Sequence, residues 1–91
     1  MMETASDRRK QRRSLASGVV NITLAADTGL SFEGELLDIS AGGFRIAHTQ
    51  PGLERGSEVL FRHPRAKGRA RVVWNRILAD QSETGFLILE H

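Results

Sequence analysis

Cysteine and tyrosine are absent from this 91-residue chain, tryptophan occurs once, and no long apolar run interrupts it. Without cysteine there is neither a disulfide framework nor a thiolate metal site. Nothing approaches the ~20 consecutive apolar residues of a membrane span, so membrane insertion is not expected. The first ten residues are charged rather than apolar, which argues against a secretory leader and for a cytoplasmic protein. One Trp and four Phe are too few to pave a base-stacking surface. His48 and His63 stand far apart without paired carboxylates, so no metal centre is expected from them. No serine has an evident base and acid partner, and neither catalysis nor a resident cofactor is expected.

Charge is present but lopsided. The formal net charge is only +2, yet residues 1–13 hold five basic and two acidic groups, while residues 14–91 hold eight basic and nine acidic. The excess lies in one run, Arg8-Arg9-Lys10-Gln11-Arg12-Arg13. A general nucleic-acid coat would be spread more widely. Residues 1–14 therefore read as a flexible arginine-rich arm, residues 15–89 as the single folded domain, and Glu90-His91 as an expression-tag remnant.

Beyond the arm the pattern has period two, and helical period is nearly missing. Val20, Ile22 and Leu24 alternate with their neighbours, as do Phe32, Gly34 and Leu36. Phe44 with Ile46, Val59 with Phe61, Ala70 with Val72 and Trp74, and Phe86 with Ile88 continue the series. Between them lie turn-forming segments: Asp27-Thr28-Gly29, Gln50-Pro51-Gly52, Arg55-Gly56-Ser57, His63-Pro64 and 80–85. Six short strands with turns this frequent predict an all-β fold, a small six-stranded antiparallel β-barrel. Closure removes edges that so small a sheet cannot cover. An open sheet with one helix is the alternative, and Leu78 to Ser82 is the one place for a helical turn. Trp74 is expected inside, as a core or barrel-end anchor.

Two features carry chemistry. Arginine offers a planar fork of donors that grips a phosphate through two hydrogen bonds, stacks on bases, and reaches O6 and N7 of guanine together. Two arginines four apart on an arm could hold both parts of one nucleotide. The second feature is Asp38-Ile39-Ser40-Ala41-Gly42-Gly43. A carboxylate at Asp38 accepts from guanine N1–H and N2–H₂, a pair adenine does not present. Ser40 shares its face along an extended chain and can donate to a phosphate. Gly42 and Gly43 permit positive φ and a close backbone approach. A plain turn would use the same residues, so the weight rests on the two features together.

The combination of Arg9-Lys10-Gln11-Arg12-Arg13 with Asp38-x-Ser40-x-x-Gly43 resembles the PilZ domain, a bacterial receptor module for cyclic di-GMP. Gly68-Arg69-Ala70-Arg71-Val72-Val73-Trp74 and Gly85-Phe86 extend the resemblance across nearly the whole chain. Both Arg8…Arg12 and Arg9…Arg13 satisfy the arginine spacing; Ser14-Leu15 as the start of the first strand favours Arg9 and Arg13, with Arg8 preceding.

The resemblance implies a six-stranded barrel and cyclic di-GMP as ligand, held by Arg8, Arg9, Arg13, Asp38, Ser40, Gly42 and Gly43. It also implies an unidentified protein effector and a role in bacterial motility, surface polysaccharide or biofilm. Arg8, as a third guanidinium, and an outward Arg69–Arg71 face point to two stacked nucleotides per chain. The wider Arg62–Arg71 cluster reads as a solvated strand face, or as a surface near the ligand's outer phosphate or a partner. The rival functions are a small basic RNA- or single-strand-binding barrel and a ligand-independent PilZ-like protein adaptor.

Overall fold

The computed structural model describes residues 14–15 and 17–90. Seven strands follow one another: β1 (Ser14–Leu15), β2 (Val19–Leu24), β3 (Ser31–Ile39), β4 (Gly43–His48), β5 (Glu58–His63), β6 (Ala66–Ile77) and β7 (Ser82–Glu90). Every pairing is antiparallel. The ring runs β3-β2-β5-β6-β7-β4 and closes through a β3–β4 pairing, a six-stranded barrel with the two-residue β1 attached to β3. No helix lies among the described residues, and therefore none long and apolar enough to cross a membrane.

Alternation builds the interior. Val20, Ile22, Leu36, Phe44, Ile46, Val59, Phe61, Ala70, Val72 and Phe86 form one buried cluster. Phe44 stacks on Phe86 at a ring separation of 4.8 Å and leans on Phe61 at 5.0 Å. Burial of each large side chain contributes about 1.5–3 kcal/mol, and for so small a domain this core carries the fold.

The turns follow local chemistry. Asp27 accepts from the Gly29 N–H through its carboxylate, 3.2 Å, and from the Leu30 N–H through its carbonyl, 2.9 Å. The segment expected to make a helical turn, Leu78 to Ser82, does not. Ile77 pairs with Ser82, and the Leu78 N–H donates to the Gln81 carbonyl at 2.8 Å, so the connection is a tight hairpin and Ser82 already belongs to β7. A hairpin register this short leaves no residues for a helical turn.

Two irregularities change which side chains face out. In β3 the register shifts between Leu36, opposite Ile46, and Asp38, opposite Arg45. Leu37 is the extra residue, as in a β-bulge. Strict alternation from Phe32, Gly34 and Leu36 would send Asp38 into the core; the bulge turns it outward. In β6 the register shifts between Val72, opposite Phe86, and Trp74, opposite Gly85. Trp74 therefore leaves the inward phase of Ala70 and Val72. It is not a core anchor: it lies half-buried on the outer surface, its ring against Gly85.

Candidate functional site

Registers across four strands bring one outward row together. Asp38 on β3 is opposite Arg45 on β4, Arg45 is opposite Gly85 on β7, and Gly85 is opposite Trp74 on β6. Adjacent strands are ~4.8 Å apart, so an acid, a guanidinium and an indole share a strip about 15 Å wide. Gly85 is the low point of the strip: a Cβ there would collide with the Trp74 indole. Gly43 has a similar constraint, since its Cβ would run into the Phe86 carbonyl oxygen. Neither Gly42 nor Gly43 takes a positive φ, so the left-handed freedom these glycines permit is not used. Gly43 serves close backbone packing instead, and the Gly42 carbonyl accepts the Ile88 N–H at 2.9 Å.

The charges on this strip are joined end to end. Arg45 donates to the Asp38 carboxylate at 2.8 Å, and its other terminal nitrogen lies 3.6 Å from Glu83. Arg76 donates to the same Glu83 oxygen at 2.8 Å, and its guanidinium sits 6.0 Å from the centre of the Trp74 ring. Asp38 is only 7% exposed, so its ion pair is largely withdrawn from solvent. The Arg45 Nε is buried and has no hydrogen-bond partner among the described residues. Sequence reasoning missed Arg45. Its position between inward Phe44 and Ile46 marked it as outward, but its pairing with Asp38 depends on the bulge.

Ser40 closes the β3–β4 turn. Its N–H donates to the Gly43 carbonyl at 2.8 Å and its hydroxyl makes a longer 3.4 Å contact with the same oxygen. A groove of about 260 Å³ is lined by Ser40, Gly42, Gly43, Trp74, Gly85 and Leu87, among others. Ser40, Gly42 and Gly43 of the Asp-x-Ser-x-x-Gly segment and the lone tryptophan thus line one depression, with Asp38 outside its lining. Arg8, Arg9, Arg13 and the predicted flexible arm lie outside the described residues. Their connection to the barrel is visible: β1 starts at Ser14, next in sequence to Arg13, and pairs Ser14 with Ile39 and Leu15 with Asp38. The strand that follows the arginine run is hydrogen-bonded to the strand that carries Asp38.

The PilZ domain family matches residues 7–90, nearly the whole chain. The chain belongs to the PilZ domain family. PilZ domains are known as non-enzymatic modules that bind cyclic di-GMP. No curated protein matches the chain significantly.

Other sequence candidates have structural employment. Arg71 donates to Glu58 at 3.0 Å and Arg69 to Glu90 at 2.6 Å, so the Arg69–Arg71 face is engaged in ion pairs. His48 is buried inside a polar chain at one end of the barrel. Its Nδ1 accepts the Gln50 N–H at 3.0 Å, so the neutral ring carries its proton on Nε2, which donates to Thr84 at 2.6 Å. The Thr84 hydroxyl donates onward to Asn75 at 2.6 Å. Burial lowers the His48 pKa below its ordinary value. Among the described residues no three His, Asp or Glu side chains gather as metal ligands.

Proposed function

We propose that this PilZ domain is a cyclic di-GMP receptor whose arginine arm and Asp38–Gly43 segment hold one ligand between them, and that it relays occupancy to a protein effector in a bacterial cell. No cofactor beyond the dinucleotide is involved. The observation that carries this reading is the pairing of β1 with β3 at Asp38 and Ile39, which ties the end of the arm to the acid. Arg9 and Arg13 would grip phosphate and guanine, with Arg8 as an additional cation. Asp38 would accept from the guanine N1–H and N2–H₂, exchanging its Arg45 partner for the base edge. Ser40 would donate to a phosphate, while Gly42 and Gly43 keep the groove floor low enough for the backbone to approach the ligand.

Outward Trp74 beside Gly85 offers a flat apolar surface of purine size next to that groove. The same arrangement counts against a single-strand-binding barrel. Phe44, Phe61 and Phe86 belong to the core and Phe32 packs against it, so one aromatic is left where a base-stacking platform needs several.

The decisive measurement is calorimetric titration with cyclic di-GMP and, separately, cyclic di-AMP. Binding of the first with clear discrimination against the second is expected, because only guanine presents the donor pair to Asp38. Equal binding of both removes the base-reading role of Asp38, and no binding of either removes the receptor reading. Titration of wild type against Arg8→Leu tests whether two nucleotides stack per chain. The ion pairs at Arg69 and Arg71 withdraw one of the two supports for the second molecule and leave Arg8 as the other. A ratio near one for both proteins would end the two-nucleotide reading.

A further inference from the structure

The outer face of β2, β5 and the start of β6 has a charge arrangement that the ligand strip does not use. Arg62 on β5 is directly opposite Lys67 on β6, and Asn21 on β2 is opposite Arg62. Like charges directly opposed across antiparallel strands destabilise a sheet, so this pair works against the fold. Arg65 adds a third cation at the β5–β6 turn. Arg45, Arg69, Arg71 and Arg76 each have a carboxylate partner; Arg62, Arg65 and Lys67 have no ion pair among the described residues, and all three are exposed. A local arrangement that costs stability without internal compensation marks a functional surface.

Two adjoining grooves of about 840 and 930 Å³ share Asn21, Arg62 and Lys67. The grooves are also partly apolar, with Val19 50% and Leu60 45% exposed, and carry Glu33 and Glu90 in their lining. No aromatic side chain is exposed there, which disfavours stacked bases. Closure of the barrel leaves no free edge at β2 or β5, so a partner must engage side chains rather than add a strand.

From these observations we infer that the β2–β5–β6 face is a docking surface for an acidic polypeptide segment, one that interleaves carboxylates for Arg62, Arg65 and Lys67 with apolar side chains for Val19 and Leu60. Glu33, opposite Asn21 at the rim, repels such a segment on one side and sets the direction from which it lies down. The ring order puts β2 and β5 across the barrel from β7 and β4, so most of this face lies away from the groove at Ser40 and Trp74. The inference does not rest on the dinucleotide reading.

The test is an amide NMR titration of the full chain, without nucleotide and at low ionic strength, with a synthetic peptide alternating glutamate and leucine. Shifts centred on Asn21, Leu60, Arg62 and Lys67 are expected, and none from the corresponding glutamine–leucine peptide. The double substitution Arg62→Glu/Lys67→Glu should weaken peptide binding at least roughly tenfold.

Lys67→Glu alone has a signature that a structural role cannot produce: it turns a like-charge pair into an opposite-charge pair, so Tm should rise while peptide binding falls. Should the double variant fold poorly, this single variant and Arg62→Gln carry the comparison. Peptide shifts that map elsewhere, binding indifferent to these substitutions, or tighter engagement of the face by a single-stranded oligonucleotide or by anionic vesicles would overturn the proposal. Failure of the cyclic di-GMP titration would leave it standing.

Discussion

The two outer faces of this barrel solve the same electrostatic problem in opposite ways. On β3, β4, β7 and β6, Asp38, Arg45, Glu83 and Arg76 alternate in sign and each touches the next. On β2, β5 and β6, Arg62 and Lys67 are opposed with no acid between them. Outward arginine does not distinguish the faces, since both carry it at strand positions. Pairing does. The joined face satisfies its charges internally, so a ligand read by Asp38, as proposed, would have to displace the Arg45 partner. The unpaired face leaves its cations for something outside the chain.

The largest effect expected from breaking the comparison lies in the arm that β1 ties to the joined face. Arg9→Ala and Arg13→Ala should each cost charge-assisted contacts of about 1.5–3 kcal/mol, roughly ten- to hundredfold in cyclic di-GMP affinity, with Tm unchanged. Calorimetry and a thermal melt on the same samples check both halves. If Arg8→Ala and Arg12→Ala are the damaging pair instead, the arginine spacing has been read in the wrong phase.

Within the joined face, Arg45→Leu should lower stability by about 1–3 kcal/mol, because it removes the Arg45 hydrogen bond and charge from the largely buried Asp38 carboxylate. Asp38→Asn should cost less in stability and more in ligand affinity. Denaturant unfolding separates the two, and an equal loss of stability in both would mean that the pair contributes symmetrically.

A titratable group that belongs to neither face provides a smaller effect. His48 has its folded pKa below 6.5, so the unfolded chain takes up a proton before the native one does. Its contribution to stability is complete above the unfolded value and is lost as pH falls from there through the folded pKa, at up to ~1.4 kcal/mol per pH unit. His48→Gln should flatten the stability profile between about pH 7 and 5. An unchanged slope would place the titration elsewhere.

The smallest change is expected from the exposed pairs that edge the second face. Arg71→Ala should shift stability by no more than about 0.5 kcal/mol despite its 3.0 Å contact with Glu58, since solvent screens such pairs. A loss several times larger would show that the Arg69–Glu58–Arg71 network acts as a unit.

Strand content, barrel closure and the turns other than 80–85, where Ser82 to Gly85 belong to β7, were legible because they depend on local rules: side chains alternate with period two, and Asp27-Thr28-Gly29 or His63-Pro64 turn the chain through their own backbone chemistry. The Asp38–Gly43 segment was equally visible as a place where donors and acceptors cluster. The tertiary structure decided what those residues face. One extra residue at Leu37 and another at Val73 reverse the phase of everything beyond them, carrying Asp38 out of the core and Trp74 onto the surface. A bulge is selected by how two strands fit their neighbours around a closed ring, so no stretch of either strand announces it. The same holds for Asp38 with Arg45 and for Arg62 with Lys67. Whether two charges meet as partners or as rivals depends on register between strands, and register is a property of the assembled barrel.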